Sequence, residues 1–137
     1  MKKILALLLV LFVGFATTVS AETLWFRAYN VAVKIVNDYN RNSSAGWSDY
    51  EDCNILIKFD LDYSRVTIHS NETQVYDIYD VTEEYTDSEG GSQYGFYFVD
   101  QDDDEGLLRL RVTPDGDYQI YIDFDDIAWM YNVVPKD

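Results

Sequence analysis

The chain has 137 residues, with 10 basic and 25 acidic side chains, a formal net charge of −15 and a single cysteine, Cys53. A field of that sign repels phosphate backbones and anionic lipid, which disfavours nucleic acid and the membrane surface as partners, so neither is expected. One cysteine excludes a disulfide within the chain, while 12 tyrosines, 7 phenylalanines and 3 tryptophans exclude an acidic disordered tail.

The N-terminus reads Met1-Lys2-Lys3, an apolar run from Ile4 to Ala16, then Thr17-Thr18-Val19-Ser20-Ala21. That is a basic start, an apolar core and a small-residue cleavage site with Val19 at −3 and Ala21 at −1. The run is too short for a bilayer span, which takes ~20 apolar residues. No cysteine follows it to carry a lipid anchor. Residues 1–21 are therefore predicted to be a signal peptide and 22–137 a single exported domain, periplasmic or secreted, with no membrane insertion after cleavage. Removing 21 of 137 residues leaves 116, enough for one core. Without Lys2 and Lys3, eight basic residues face 25 acidic ones, a net charge of −17.

From Leu24 onward the apolar period is close to two, with Val, Ile, Tyr and Phe prominent. Tyr29, Val31, Val33 and Ile35 alternate with Asn30, Ala32 and Lys34 in a long first strand. An Asn-, Ser- and Gly-bearing connection, residues 37–49, carries Trp47. Further strands are expected over 54–61, 65–70, 74–81, 93–100, 106–113, 117–124 and 128–132. Two hairpins can be taken to register. A Pro114-Asp115-Gly116 loop pairs Val112 with Tyr118, Leu110 with Ile120 and Leu108 with Ile122, and places Gly where a type I turn plus bulge needs the left-handed conformation. A loop of two residues (Asp62-Tyr63) or four (Leu61–Ser64) pairs Phe59 with Val66 and Ile57 with Ile68, and sets Asp60 opposite Arg65 as a cross-strand ion pair.

The expected fold is all-β, an antiparallel meander of seven or eight strands. Such a sheet must hide its apolar face and its edges. A small closed barrel is favoured over a two-sheet sandwich, because hairpin loops join strands in sequence order. The succession Trp47-Ser48-Asp49-Tyr50, Ile55-Leu56-Ile57, Val66-Thr67-Ile68-His69-Ser70, Gln74-Val75-Tyr76-Asp77-Ile78, Gln119-Ile120-Tyr121-Ile122 and Trp129-Met130-Tyr131-Asn132 resembles small exported β-proteins of gut-type anaerobic bacteria. Their shape is similar to compact lipocalin-like barrels. The resemblance implies location and fold, and no activity.

Catalytic chemistry finds little support. His69, the one histidine, falls on the outer face beside Leu56, and Cys53 lies sixteen positions away. A Ser-His-Asp or Cys-His hydrolase is judged by geometry, which this pattern does not supply. With 25 acids any carboxylate pair can be found, so glycosidase-like spacing carries no weight. No cofactor is expected, apart from a Ca²⁺ reading of Asp100, Asp102 and Asp104, whose alternation suits a hard cation. Against it, Glu105 delays the glycine of an EF-hand loop and Arg111 stands at its twelfth position. The plain alternative is a solvated acidic hairpin.

The protein is thus expected to be non-enzymatic and to act by binding. In one version the acidic surface recognises a cationic protein or peptide. In the other, a lipocalin-like interior or mouth holds a small apolar or glycan ligand, with Trp25, Trp47, Trp129 and Tyr131 around it. Inward Phe59, Phe96, Phe98, Tyr118 and Phe124 would tend to fill so small a barrel and so tilt the balance to the surface.

Overall fold

The computed structural model describes residues 23–136, apart from 42 and 44. The predicted signal peptide, residues 1–21, and its cleavage site lie outside the described residues. Among the described residues nine strands follow one another: β1 (Thr23–Ile35), β2 (Glu51–Asp60), β3 (Arg65–His69), β4 (Thr73–Val81), β5 (Tyr85–Thr86), β6 (Ser92–Asp100), β7 (Glu105–Val112), β8 (Tyr118–Asp123) and β9 (Ile127–Lys136). Every pairing is antiparallel, in the order β4-β3-β2-β1-β9-β8-β7-β6-β5, and β4 also pairs with β6. Eight strands therefore close into a barrel, and the two-residue β5 is an addition along β6. The closed barrel prevails over the sandwich.

Both predicted registers are present. Val112 faces Tyr118, Leu110 faces Ile120 and Leu108 faces Ile122. Gly116 has φ +89°, the left-handed conformation its turn requires, and its amide donates to the Thr113 carbonyl at 2.9 Å. Phe59 faces Val66, and Ile57 faces Ile68, across a four-residue loop in which Ser64 takes φ 51°. Asp60 does stand opposite Arg65, but the expected ion pair is made elsewhere. Arg65 is also opposite Asp77 on β4, and its Nε reaches that carboxylate at 2.7 Å.

The interior is apolar and full. Phe26, Ile57, Phe96, Phe98, Leu108, Leu110, Ile120 and Ile122 are all buried there. Rings meet edge to face, with centroids 5.5 Å apart for Phe26 and Phe59, 4.6 Å for Tyr76 and Phe98, and 5.4 Å for Phe98 and Phe124. An eight-stranded barrel is just wide enough for such packing. The gap between Phe59, Leu61, Ile78 and Phe96 measures about 10 Å³, no more than a water molecule needs.

Two bulges interrupt the ladder. The register of β1 shifts between Ala28 and Asn30 against both neighbours, and that of β4 shifts between Ile78 and Asp80 against β6. Against β9 and β6 the extra residues are Tyr29 and Tyr79, both exposed; against β2 the surplus lies on β2, where Cys53 and Asn54 stand against Tyr29 alone. Tyr29 therefore leaves the apolar face on which alternation placed it. Phe26 and Ala28 point inward before the bulge and Val31 after it, because an inserted residue resets the side-chain alternation.

Candidate functional site

The outward-facing positions of β6 to β9 and β1 include several buried side chains. Lys34 is 5% exposed and Arg111 9%, and Gln93, Ala128 and Met130 are buried beside them. The register puts all five outside the barrel: Lys34 lies level with Ala128 and Asp123, Met130 with Tyr121 and Arg109, and Gln93 with Arg111 and Gln119. Two connections cover them. The described residues between 36 and 50 fold back along β1, where Trp47 bridges to Lys34 and the Ser48 amide donates to the Val33 carbonyl at 2.8 Å. Residues 82–91 rise from β4 to β6 on the other flank. Between the two arms runs a groove of about 830 Å³.

Local sequence shapes each arm. Asn37 Oδ1 accepts from the amides of Tyr39 and Asn40, a side-chain-closed turn. Lys34 Nζ then ties that arm to the wall by donating to the carbonyls of Asn40 and Ser43 at 3.1 and 2.9 Å, with the Trp47 ring 5.2 Å away. In the other arm, Asp87 Oδ1 accepts from the amides of Glu89 and Gly91. Gly91 makes room for the guanidinium: a Cβ there would lie 2.6 Å from Arg111 Nε and would push that group aside.

The floor is a network of charged and amide groups. Arg109 makes a bidentate pair with Asp123, Nε to Oδ2 at 2.5 Å and Nη2 to Oδ1 at 3.1 Å, and lies 4.3 Å over the Tyr121 ring. Its Nη1 donates to Gln93 Oε1 at 3.1 Å, an oxygen that also accepts from the Tyr85 hydroxyl at 2.8 Å. Arg111 donates to Asp87 at 2.7 Å and to Gln119 at 2.9 Å. The Arg111 bond holds the Asp87 carboxyl well below the usual carboxylate range, against the opposing effect of burial and with help from Gln93 and the Gly91 amide. Burial lowers the Lys34 ammonium, opposed by the charge of Asp123, and it raises the Tyr121 phenol. Half of the eight basic residues beyond the predicted signal peptide, namely Lys34, Arg41, Arg109 and Arg111, line this one groove.

The sequence-predicted site residues are scattered. Trp25 is on the outer wall away from the groove, stacked on His69 with centroids 6.0 Å apart and with Lys58 Nζ 5.6 Å from its ring. Trp129 and Tyr131 point into the barrel, where Tyr131 is buried and burial lifts its phenol to about 12. Trp47 alone of the four lines the groove, its ring edge-on to Tyr121 at 5.9 Å.

Asp100, Asp102 and Asp104 do converge, with carboxylate oxygens within 4.8 Å of one another. Asp100 Oδ1 already accepts from the amides of Asp102 and Asp104 at 2.9 Å each, which accounts for the shape of the hairpin. Asp102 and Asp104 are exposed and Asp100 is half-buried, and a cation there would need further oxygens to reach the six to eight that Ca²⁺ takes. Cys53 is half-buried, its thiol donating to the Ala28 carbonyl at 3.6 Å and pushed up by burial.

Sequence reasoning passed over Lys34, Asp87, Arg109, Arg111 and Tyr121. One signal was available in the β7–β8 register, which sets Arg109 opposite Tyr121 and Arg111 opposite Gln119 on the outer face of a chain poor in arginine. No family model, curated protein or solved structure matches this chain.

Proposed function

We propose that this is an exported, non-enzymatic binding module that holds its ligand in the outer-wall groove. The observation that carries this reading is the contrast in space: the barrel interior is packed with buried rings and aliphatic side chains, whereas a groove of about 830 Å³ opens on the outer wall. The lipocalin-like alternative, a ligand inside the barrel, would need several core aromatics to move. The signal-like N-terminus supports export. Non-catalytic use is supported by the mutual pairing of the floor's charged groups, Arg109 with Asp123 and Arg111 with Asp87.

A second reading rests on the loop that joins β6 and β7. Asp102, Asp103, Asp104 and Glu105 are exposed there in sequence, a surface able to steer a cationic protein or peptide. Titrating isotope-labelled protein with a neutral oligosaccharide mixture, a polylysine peptide and an apolar dye locates the site by NMR. Shifts are expected at the Trp47 indole, Arg109 Nε and Tyr121. Shifts confined to Phe98 and Ile120 would place the ligand inside. Shifts confined to residues 101–105, fading as salt rises, would favour the acidic surface.

A further inference from the structure

We propose that the groove is a saccharide site for a neutral, polyhydroxylated ligand. Tyr79, Tyr85 and Tyr97 would serve as stacking platforms, and the Arg109–Asp123–Gln93 cluster would read hydroxyls. This rests on the groove being the binding site, and adds the class of ligand.

Exposed aromatic rings gather on this rim. Tyr79, Tyr85 and Tyr97 are each 40% exposed or more, on three different strands or their margins, and all three line the groove. Tyr79 is aimed there by the β4 bulge, a device that re-directs side chains beside binding sites. Its ring lies 6.4 Å from that of Tyr97 with only 30° between their planes, so the two form a nearly continuous step. Flat rings left open to water beside a polar floor suit a ligand with alternating C–H faces and hydroxyl edges. A sugar is such a ligand.

The floor supplies the other half of the match. A hydroxyl both donates and accepts. Guanidinium, carboxylate and amide groups already locked side by side offer donors and acceptors at fixed positions. Their mutual pairing holds each planar group in place before a ligand arrives, which lowers the ordering cost of binding. An apolar ligand would have to cover the Arg109–Asp123 pair and Gln93 without replacing their contacts with water, which is costly.

Charge narrows the class further. Lys34, Arg41, Arg109 and Arg111 are set against Asp87, Glu89, Glu105, Asp123 and Asp125, so the lining is close to neutral on a strongly acidic protein. A cation would find more attractive ground elsewhere on this surface, and a polyanion would be repelled on approach. A groove of about 830 Å³ lies within the usual range for small-ligand sites, roughly 300–1,000 Å³. It has room for a short oligosaccharide.

The test is an array of immobilised neutral, uronate and sulfated oligosaccharides, followed by calorimetry on the glycans retained. The mature protein is compared with Tyr79→Ala, Tyr97→Ala and, as a control on a remote exposed ring, Tyr63→Ala. Neutral glycans should bind, with affinity little changed between low and high salt. Tyr79→Ala and Tyr97→Ala should each weaken binding about tenfold or more, and Tyr63→Ala should not. An array retaining only charged glycans overturns the neutral class, and one retaining none overturns the saccharide class. If polylysine still shifts the Trp47 indole, the groove survives as the site and only its ligand class is lost. Neutral-glycan binding that ignores both groove tyrosine substitutions overturns the groove itself.

Discussion

Strands β6 to β9 form one wall with two unlike faces. Inward it presents Phe96, Phe98, Leu108, Leu110, Ile120 and Ile122; outward it presents Gln93, Arg109, Arg111, Gln119, Tyr121 and Asp123. The inner set is held by burial, which is non-directional and scales with apolar area. The outer set is held by oriented bonds, in which each group is satisfied by a particular partner. Ion pairs of this kind return little net stability, because removing charges from water nearly cancels their attraction. The comparison teaches a division of labour: the inside of the wall keeps the barrel folded, and the outside spends order on geometry.

Substitutions on the two faces should therefore differ in size. Phe98→Ala should cost about 3–5 kcal/mol, since a ring bounded by Tyr76 and Phe124 leaves a cavity its neighbours cannot fill; urea denaturation reads it. Arg109→Ala should cost less, about 2 kcal/mol, by stranding the half-buried Asp123 carboxylate. Asp123→Asn in the same background should restore part of that loss. A double-mutant cycle with no coupling would erase the distinction between the faces.

Asp87 sharpens the comparison through pH. Its folded value is depressed, so its contribution is present above about pH 4 and is lost as pH falls toward the depressed value. Asp87→Asn should lower stability by about 1–2 kcal/mol at neutral pH. The gap to the parent should close below pH 4, as melting curves across pH will record. At the Pro114–Gly116 turn, which belongs to neither face, Gly116→Ala should cost ~1 kcal/mol from left-handed strain alone, because open space surrounds it. The smallest effect is expected at Asp100, Asp102 and Asp104. Calcium should raise the melting temperature no further than sodium at matched ionic strength, and a distinct calcium shift would reveal a specific site there.

What could be read in the sequence follows from the same division. Inward residues repeat every second position, and turns such as Pro114-Asp115-Gly116 fix register locally, so barrel and hairpins were legible. Tyr29 was misplaced because a bulge leaves no mark in an unbroken run of strand-forming residues. The groove was hidden for a different reason: its contacts span long separations, with Asp87 meeting Arg111 and Trp47 meeting Tyr121. Outward arginines in a strand look like solvent-facing polarity until an arm is known to fold over them. Asp60 and Arg65 show the same limit on a small scale, since a third strand supplied the better partner.

The first and last strands of the barrel are partners, with Trp25 opposite Lys136 and Ile35 opposite Ile127. The seam cannot be sewn until β9 has been synthesised, so an emerging polypeptide holds at best a curled, open sheet with β1 unmated on one side. Closure must bring together segments about a hundred residues apart, the kind of long-range step that slows folding. On the proposed export route, that delay would keep the chain passable to a translocation pore until its last strand is free.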